Sequence, residues 1–171
     1  MRPKFPALME FRHTSSDTWA YNCHAWGVDD PGHWWQPPPV SGVLLLPPGV
    51  RRYWPAGVDP SGTVASFEVA FATRGFAPCP DDSLEPLSEK IAIYAVGDRA
   101  THTARQVPSG AWTSKLGPNI DIEHRSPGLL EGPEYGQVRC FMARSRQATS
   151  VPQNGVLMRW DAATGQFTVP P

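Results

Sequence analysis

The chain has 171 residues, with 15 Lys and Arg against 16 Asp and Glu, which indicates one domain of nearly neutral charge. Hydrophobic residues make up 40% and charged residues 18%, so there is enough apolar side chain for a core and too little charge for a disordered chain. A net charge of -1 provides no strong field to attract nucleic acid or an anionic bilayer, so we expect neither as a partner.

No segment has the run of apolar residues that a membrane-spanning helix needs. Residues 1–6 are basic, but the apolar segment of a secretory signal does not follow them. We therefore expect a cytoplasmic protein.

Cys23, Cys79 and Cys140 are odd in number and widely spaced. This pattern fits neither a disulfide framework nor a Cys-x-x-Cys metal site, so we expect free thiols. The histidines also lack a recognisable ligand spacing, and we expect no metal ion and no other cofactor.

A short helix is predicted within residues 18–28, which contain no proline. Asn22 is suited to cap it, which makes Cys23 the first helical residue and puts Trp26 on the same side. Residues 29–60 are rich in proline and aromatic side chains and cannot form a continuous helix or a central strand. They predict an ordered loop that either packs on the domain or forms one wall of a substrate groove.

The remaining sequence predicts a second helix followed by antiparallel strands. Val64, Phe67 and Phe71 recur at helical spacing within residues 63–74. Strands are predicted at 91–96, 101–107, from 111 onward and at 135–143, with a possible hairpin at 155–169. These elements predict an α+β fold in which an N-terminal helix packs on an antiparallel sheet. The domain is expected to span residues 1–143, and residues 144–171 form a C-terminal extension.

A three-residue hairpin loop is predicted at 108–110, with Gly110 in the left-handed conformation. It pairs Val107 with Ala111. In this register Ser114 lies on the same face as His102, diagonally across from it.

The order of the elements suggests a nucleophile. A thiol at the start of a helix, beside an imidazole from the sheet, is favoured as a thiolate, and this arrangement is similar to that of papain-like cysteine hydrolases. We predict Cys23 as the nucleophile and His102 as its general base. His24 points about 100° away from its neighbour Cys23 and is a poor base for it.

A third polar group usually orients the imidazole. Ser114 is the first candidate, and Asn119 and Asp121 are the alternatives. A slip of the register by one residue would instead bring Thr113 and Lys115 to that face. Asp121 is alternatively the cap of a short turn.

Four further residues are candidates for binding the substrate. Asn22 and Trp26 lie beside the predicted nucleophile, and the backbone N–H of Cys23 is a candidate oxyanion donor. Lys115 and His124 are cationic donors for an oxyanion or an acidic substrate group, or alternatively surface residues.

Several motifs carry a resemblance to a known family: YNCHAWG (21–27), YWP (53–55), IYA (93–95), HTARQ (102–106), GAWTSKLG (110–117), DIEH (121–124) and YGQV (135–138). Over residues 17–143 the chain resembles an uncharacterised bacterial family described as a domain of unknown function. That family resembles the NlpC-type and CHAP-type cysteine peptidases and amidases, in which the nucleophile opens a helix and the base lies on the sheet. The resemblance implies a papain-like fold and a site at Cys23 and His102.

The expected function is a cysteine hydrolase that cleaves an amide or related acyl bond in a peptide or amide-containing substrate. His102 would take the proton of Cys23, and the thiolate would attack the carbonyl carbon. A deamidase or an acyl transferase would use the same groups. The alternative is a non-catalytic module that binds a peptide or protein and in which Cys23 is structural.

Overall fold

A computed structural model describes residues 1, 3–38, 46–146 and 155–170. Its main feature is a nine-stranded sheet in which every neighbouring pair of strands is antiparallel. A separate pair of two-residue strands is parallel. The strands of the large sheet are β1 (Glu10–Ser15), β4 (Ala77–Cys79), β5 (Ser88–Val96), β6 (Arg99–Gln106), β7 (Trp112–Lys115), β8 (Asp121–His124), β9 (Gln137–Ser145), β10 (Val156–Asp161) and β11 (Gln166–Thr168). Their order in the sheet is β11-β10-β1-β8-β7-β6-β5-β9-β4.

The helices are short. Helix α1 (Cys23–Gly27) and helix α2 (Val64–Ala72) are the α-helices of the described residues, and a 3-10 turn spans Pro127–Leu130. The two-stranded pair consists of β2 (Trp34–Trp35) and β3 (Arg52–Tyr53). None of the helices in the described ranges is long and apolar enough to cross a membrane.

The central strands β5, β6 and β7 are buried on both faces, and an apolar core lies on each side of the sheet. Ile91 and Ile93 of β5 face the helices and pack with Phe67 and Phe71 of α2. The alternate residues of β5 face the opposite core, which contains Tyr94 and the N-terminal segment before β1. This division follows from the strand period, because successive side chains point to opposite faces.

The predicted α+β papain-like fold, with a nucleophile helix layered on the sheet, is wrong. The chain is mostly antiparallel sheet, and α1 has five residues, too few for a helical layer. The error arises because short strands carry little periodic signal: the sequence predicts no strand at β1, and it leaves Asp121, the first residue of β8, as either a third catalytic residue or the cap of a turn. The C-terminal hairpin β10–β11 pairs with β1, so it extends the same sheet.

Strands β6 and β7 separate soon after their hairpin. The predicted loop is confirmed, since the N–H of Val107 donates to the carbonyl of Ala111 and Gly110 has a φ of 88°. The ladder pairs β6 with β7 only at Arg105 and Gln106. The first half of β6 therefore has no partner strand on its β7 side, and the candidate site lies there.

Candidate functional site

Asn22 fixes the start of α1, as the sequence predicts. Its Oδ1 accepts from the backbone N–H of Ala25 and of Trp35, both at 3.1 Å. Its Nδ2 donates to the carbonyl of Trp35 at 2.7 Å. All of these polar atoms are buried, so the amide side chain ties the first turn of α1 to β2 and holds Cys23 in a defined position.

The Cys23 thiol is buried against the open side of β6. Burial raises its pKa to about 11, against the lowering effect of hydrogen bonds from the backbone N–H groups of Thr103, His24 and Cys23 itself and of the positive charge of Lys115. Thr103 has no pairing partner on β7, which leaves its N–H available to the sulfur. The resting thiol is protonated at neutral pH, and its surroundings stabilise the thiolate once the proton leaves.

Lys115 belongs to a buried charged cluster beside this thiol. Its side chain is fully buried, and Nζ lies 3.6 Å from Oδ1 of Asp121 and donates to the carbonyl of Asn119. The Tyr21 hydroxyl donates to the other carboxylate oxygen of Asp121 at 2.6 Å. Burial lowers the pKa of Lys115, while Asp121 and Cys23 act in the opposite direction. Lys115 is therefore a cation whose charge favours the thiolate of Cys23.

Two cavities meet at Cys23. The first, which we call the aromatic cavity, has a volume of about 620 Å³ and is lined by aromatic, proline and polar side chains that include Trp34, Trp35, Pro60 and Ser61. Trp34, Trp35 and Pro60 belong to the loop (residues 29–60) for which the sequence predicts either packing or one wall of a groove.

The second, which we call the apolar cavity, has a volume of about 520 Å³. Its apolar wall includes Phe5, Leu116, Ile120 and Tyr135. Thr101 and Gly117 line both cavities together with Cys23, so the sulfur lies at the boundary between them.

His102 projects to the other face of the sheet. Helix α1 contacts β6 through Thr103, whose Oγ1 lies 2.8 Å from Nδ1 of His24. Because adjacent strand residues point to opposite faces, the His102 ring lies in the core away from α1. There it stacks on Tyr135, with ring centroids 4.0 Å apart. No hydrogen bond within the described part of the chain joins the Cys23 thiol to the His102 ring.

Ser114 bridges two buried histidines. Its Oγ lies 3.0 Å from Nε2 of His102 and 2.9 Å from Nε2 of His124. His124 uses Nδ1 to donate to the carbonyl of Ser126, so a neutral His124 accepts from the Ser114 hydroxyl, and His102 donates to Ser114. Nδ1 of His102 is then an acceptor, and it has no hydrogen-bond partner among the described residues.

These histidines are neutral. Burial lowers the pKa of His124 to about 4 and that of His24 to about 3, and it lowers the pKa of His102 well below its ordinary value. The predicted pairing of His102 with Ser114 is present, but on the face away from the thiol. Their catalytic role stays a prediction. Tyr135, which stacks on His102, also lines the apolar cavity together with Cys23.

Of the predicted binding residues, Lys115 lies near the thiol and His124 does not. Trp26 donates from Nε1 to Oγ1 of Thr113 at 3.0 Å, which anchors α1 on β7. Lys115 and Asp121 appeared separately in the sequence analysis, as an anion binder and as a possible third residue. Their joint position next to Cys23 was missed. The predicted register already puts Lys115 on the face opposite Ser114 and His102, but that face was not recognised as the one that carries α1.

Within the described ranges, no group of three or more His, Cys, Asp or Glu side chains could hold a metal ion. No curated protein and no solved structure matches the chain. A family described as a domain of unknown function (DUF7689) matches residues 12–143, which is more than half of the chain. The protein therefore belongs to the DUF7689 family.

Proposed function

We propose that Cys23 is the nucleophile of a thiol hydrolase that cleaves an amide or related acyl bond, with Lys115 as its proton partner. The observation that carries this proposal is the position of the sulfur. The backbone N–H groups of Thr103 and His24 and the charge of buried Lys115 stabilise its thiolate. The sulfur also lies where two cavities meet.

Lys115 supports the reaction better than His102 does. Burial lowers the pKa of Lys115 and raises that of the Cys23 thiol, so Lys115 is the group of the pair that loses its proton first, and its neutral amine can accept the proton of the thiol. Asp121 keeps the ammonium in place from the other side, at 3.6 Å. His102 contacts Ser114 and Tyr135 instead.

The proposed reaction runs through an acyl-enzyme. Because the pKa of Lys115 lies below that of the Cys23 thiol, the pair first loses a proton from Lys115. The neutral amine then takes the proton of Cys23, which gives the thiolate beside the ammonium. The sulfur forms a bond to the carbonyl carbon, Lys115 gives its proton to the departing amine, and the carbon–nitrogen bond breaks. Water then gives a proton to neutral Lys115 and its hydroxide to the acyl carbon. The carbon–sulfur bond breaks, and a carboxylic acid, the thiolate and the ammonium result.

Acyl transfer to Cys23 from 4-nitrophenyl acetate tests this proposal. Wild-type protein should release nitrophenol in a burst, and peptide mass analysis should find the acetyl group on Cys23. A Cys23→Ser variant should show no burst, whereas a Cys79→Ser variant should keep it. Acetyl groups spread evenly over the three cysteines, without a burst, would contradict the proposal.

A second candidate function is a non-catalytic module that binds a peptide or protein. The resting pKa of the Cys23 thiol, about 11, favours it, since such a thiol is a weak nucleophile at neutral pH. The aromatic cavity, with Trp34 and Trp35 in its wall, would then hold the ligand. This alternative predicts that Cys23 forms no acyl adduct and that Cys23→Ala leaves ligand binding unchanged.

A further inference from the structure

We infer that the apolar cavity binds the apolar acyl group of the substrate, so that the enzyme prefers acyl compounds with an aliphatic or aromatic chain over short polar ones. This inference rests on the proposed function, because it assigns one side of the substrate to one side of Cys23.

The composition of the cavity supports an apolar occupant. Phe5, Leu116, Ile120 and Tyr135 contribute its wall, and Leu116 and Phe5 belong to the buried core. Three charged residues line the same cavity: Lys4 is paired with Glu134 at 2.9 Å, and Asp17 adds a negative charge. A charged acyl group would have to compete with this ion pair, whereas an aliphatic chain needs only the apolar wall.

The position of the cavity identifies the occupant as part of the substrate. Cys23 lies in its wall, so a group bound there is held next to the nucleophilic sulfur. A volume of about 520 Å³ is within the range of small-molecule sites, which starts at about 300 Å³. The aromatic cavity on the other side of Cys23 contains polar groups such as Ser61, Gln36 and Arg99, and it suits the polar remainder of the substrate.

A series of N-alkyl iodoacetamides tests this assignment. In each reagent the thiolate displaces iodide and forms a carbon–sulfur bond, and the alkyl chain is the only part that changes. We would compare methyl, butyl and octyl reagents and follow the modification of Cys23, Cys79 and Cys140 by peptide mass analysis. Cys79 and Cys140 are internal controls, because neither lines the apolar cavity.

The expected result is a steep dependence on chain length at Cys23 alone. Each methylene that is buried should accelerate modification by about fourfold, so the butyl reagent should exceed the methyl reagent by at least about tenfold. An Ile120→Trp variant, which fills the apolar cavity, should abolish this preference. A Ser61→Trp variant, which fills the aromatic cavity, should keep it.

The outcomes separate this inference from the proposed function. If Cys23 forms the acetyl adduct but its modification is independent of chain length, the apolar cavity is not an acyl site and the hydrolase proposal remains. If all three cysteines respond equally to chain length, the inference is overturned as well. If the chain-length dependence is present and the acetyl adduct is absent, the cavity binds apolar chains and the hydrolase proposal fails.

Discussion

The Lys115 ammonium and the Asp121 carboxylate form a buried ion pair, with Nζ and Oδ1 3.6 Å apart, on the sheet face that carries α1. A cation in a buried position acts on a neighbouring thiol more strongly than one in water, because the effective dielectric constant is lower. The charge of Lys115 lowers the pKa of Cys23 against the larger effect of burial. A second buried lysine, Lys90, has the same relation to another cysteine, Cys79.

The two lysines allow a reciprocal experiment. The first variant replaces the Lys115–Asp121 ion pair with Met and Asn (Lys115→Met with Asp121→Asn). It removes both charges and leaves no unpaired carboxylate in the core. We expect the iodoacetamide rate of Cys23 at about pH 8 to fall, because loss of the Lys115 charge raises the thiol pKa and a rise of one unit in that pKa would reduce the thiolate fraction about tenfold. The rate of Cys79 should stay unchanged.

Lys90→Met is the matched control. It should slow Cys79, whose pKa the Lys90 charge lowers against burial, and leave Cys23 unaffected. Rates would be measured by peptide mass analysis in the same reaction. If Lys115→Met with Asp121→Asn slows all three cysteines alike, the effect is a general structural one and Lys115 is not the partner of the thiol.

Acid should destabilise the fold steeply below about pH 6.5. Unfolded histidines bind a proton below that pH, whereas folded His124 and His24 stay neutral down to about 4 and 3, and His102 also has a strongly lowered pKa. Stability is therefore complete above about pH 6.5 and decreases as the pH falls, because the unfolded state gains the protons. Each histidine adds about 1.4 kcal/mol per pH unit to the slope of the unfolding free energy against pH.

Urea unfolding at a series of pH values between about 4 and 7 measures this slope. A His124→Asn variant keeps a polar group for Ser114 and removes one titrating imidazole. Its slope should be smaller than that of the wild type by about 1.4 kcal/mol per pH unit. An unchanged slope would mean that His124 is already charged in the folded protein.

Ser114→Ala distinguishes a structural histidine bridge from a catalytic one. The serine hydroxyl connects His102 to His124 at 3.0 and 2.9 Å, so its removal leaves two buried imidazole nitrogens without a partner. The expected cost is about 1–3 kcal/mol in the free energy of unfolding, measured with urea. The iodoacetamide rate of Cys23 should not change, since the bridge lies on the opposite face of the sheet. A large loss of Cys23 reactivity in a variant of normal stability would instead support the predicted triad of Cys23, His102 and Ser114.

Sequence reasoning could locate the parts of this site but not the faces to which they belong. The cap at Asn22 and the hairpin at Gly110 depend on local backbone chemistry, and both were predicted correctly. The face of β6 that α1 covers depends on long-range packing. His102 and Ala104 point to one side and Thr103 and Arg105 to the other, and all four are buried. With polar residues on both buried faces, the strand has no apolar alternation to reveal which side meets the helix.

The extent of the sheet was also inaccessible to local reasoning. Strand β1 has one fully apolar residue, Phe11, among polar ones, and its place between β8 and β10 results from pairing with segments more than 100 residues away. Strand β8 has four residues, for which propensity gives little signal. Pairing with distant segments determines these strands. For this reason the fold is a large antiparallel sheet and not the predicted layer of a helix on a sheet.

Gly27 sets the distance between α1 and β6. A Cβ at this position would lie 2.6 Å from Cγ2 of Thr103, which is too close for the helix to keep its place. Gly27→Ala should therefore destabilise the protein by about 1–3 kcal/mol through overpacking. It should also slow the alkylation of Cys23, because α1 moves away from the Thr103 N–H that lowers the thiol pKa.

Thr103→Ser provides the rescue, since it removes the clashing methyl group and keeps the hydroxyl that contacts His24 at 2.8 Å. In the Gly27→Ala with Thr103→Ser double variant, we expect most of the lost stability and of the Cys23 reactivity to return. A double-mutant cycle with urea unfolding and alkylation rates measures both quantities. Additive effects of the two substitutions would show that Gly27 is needed for another reason, and that the contact between α1 and β6 does not control the thiol.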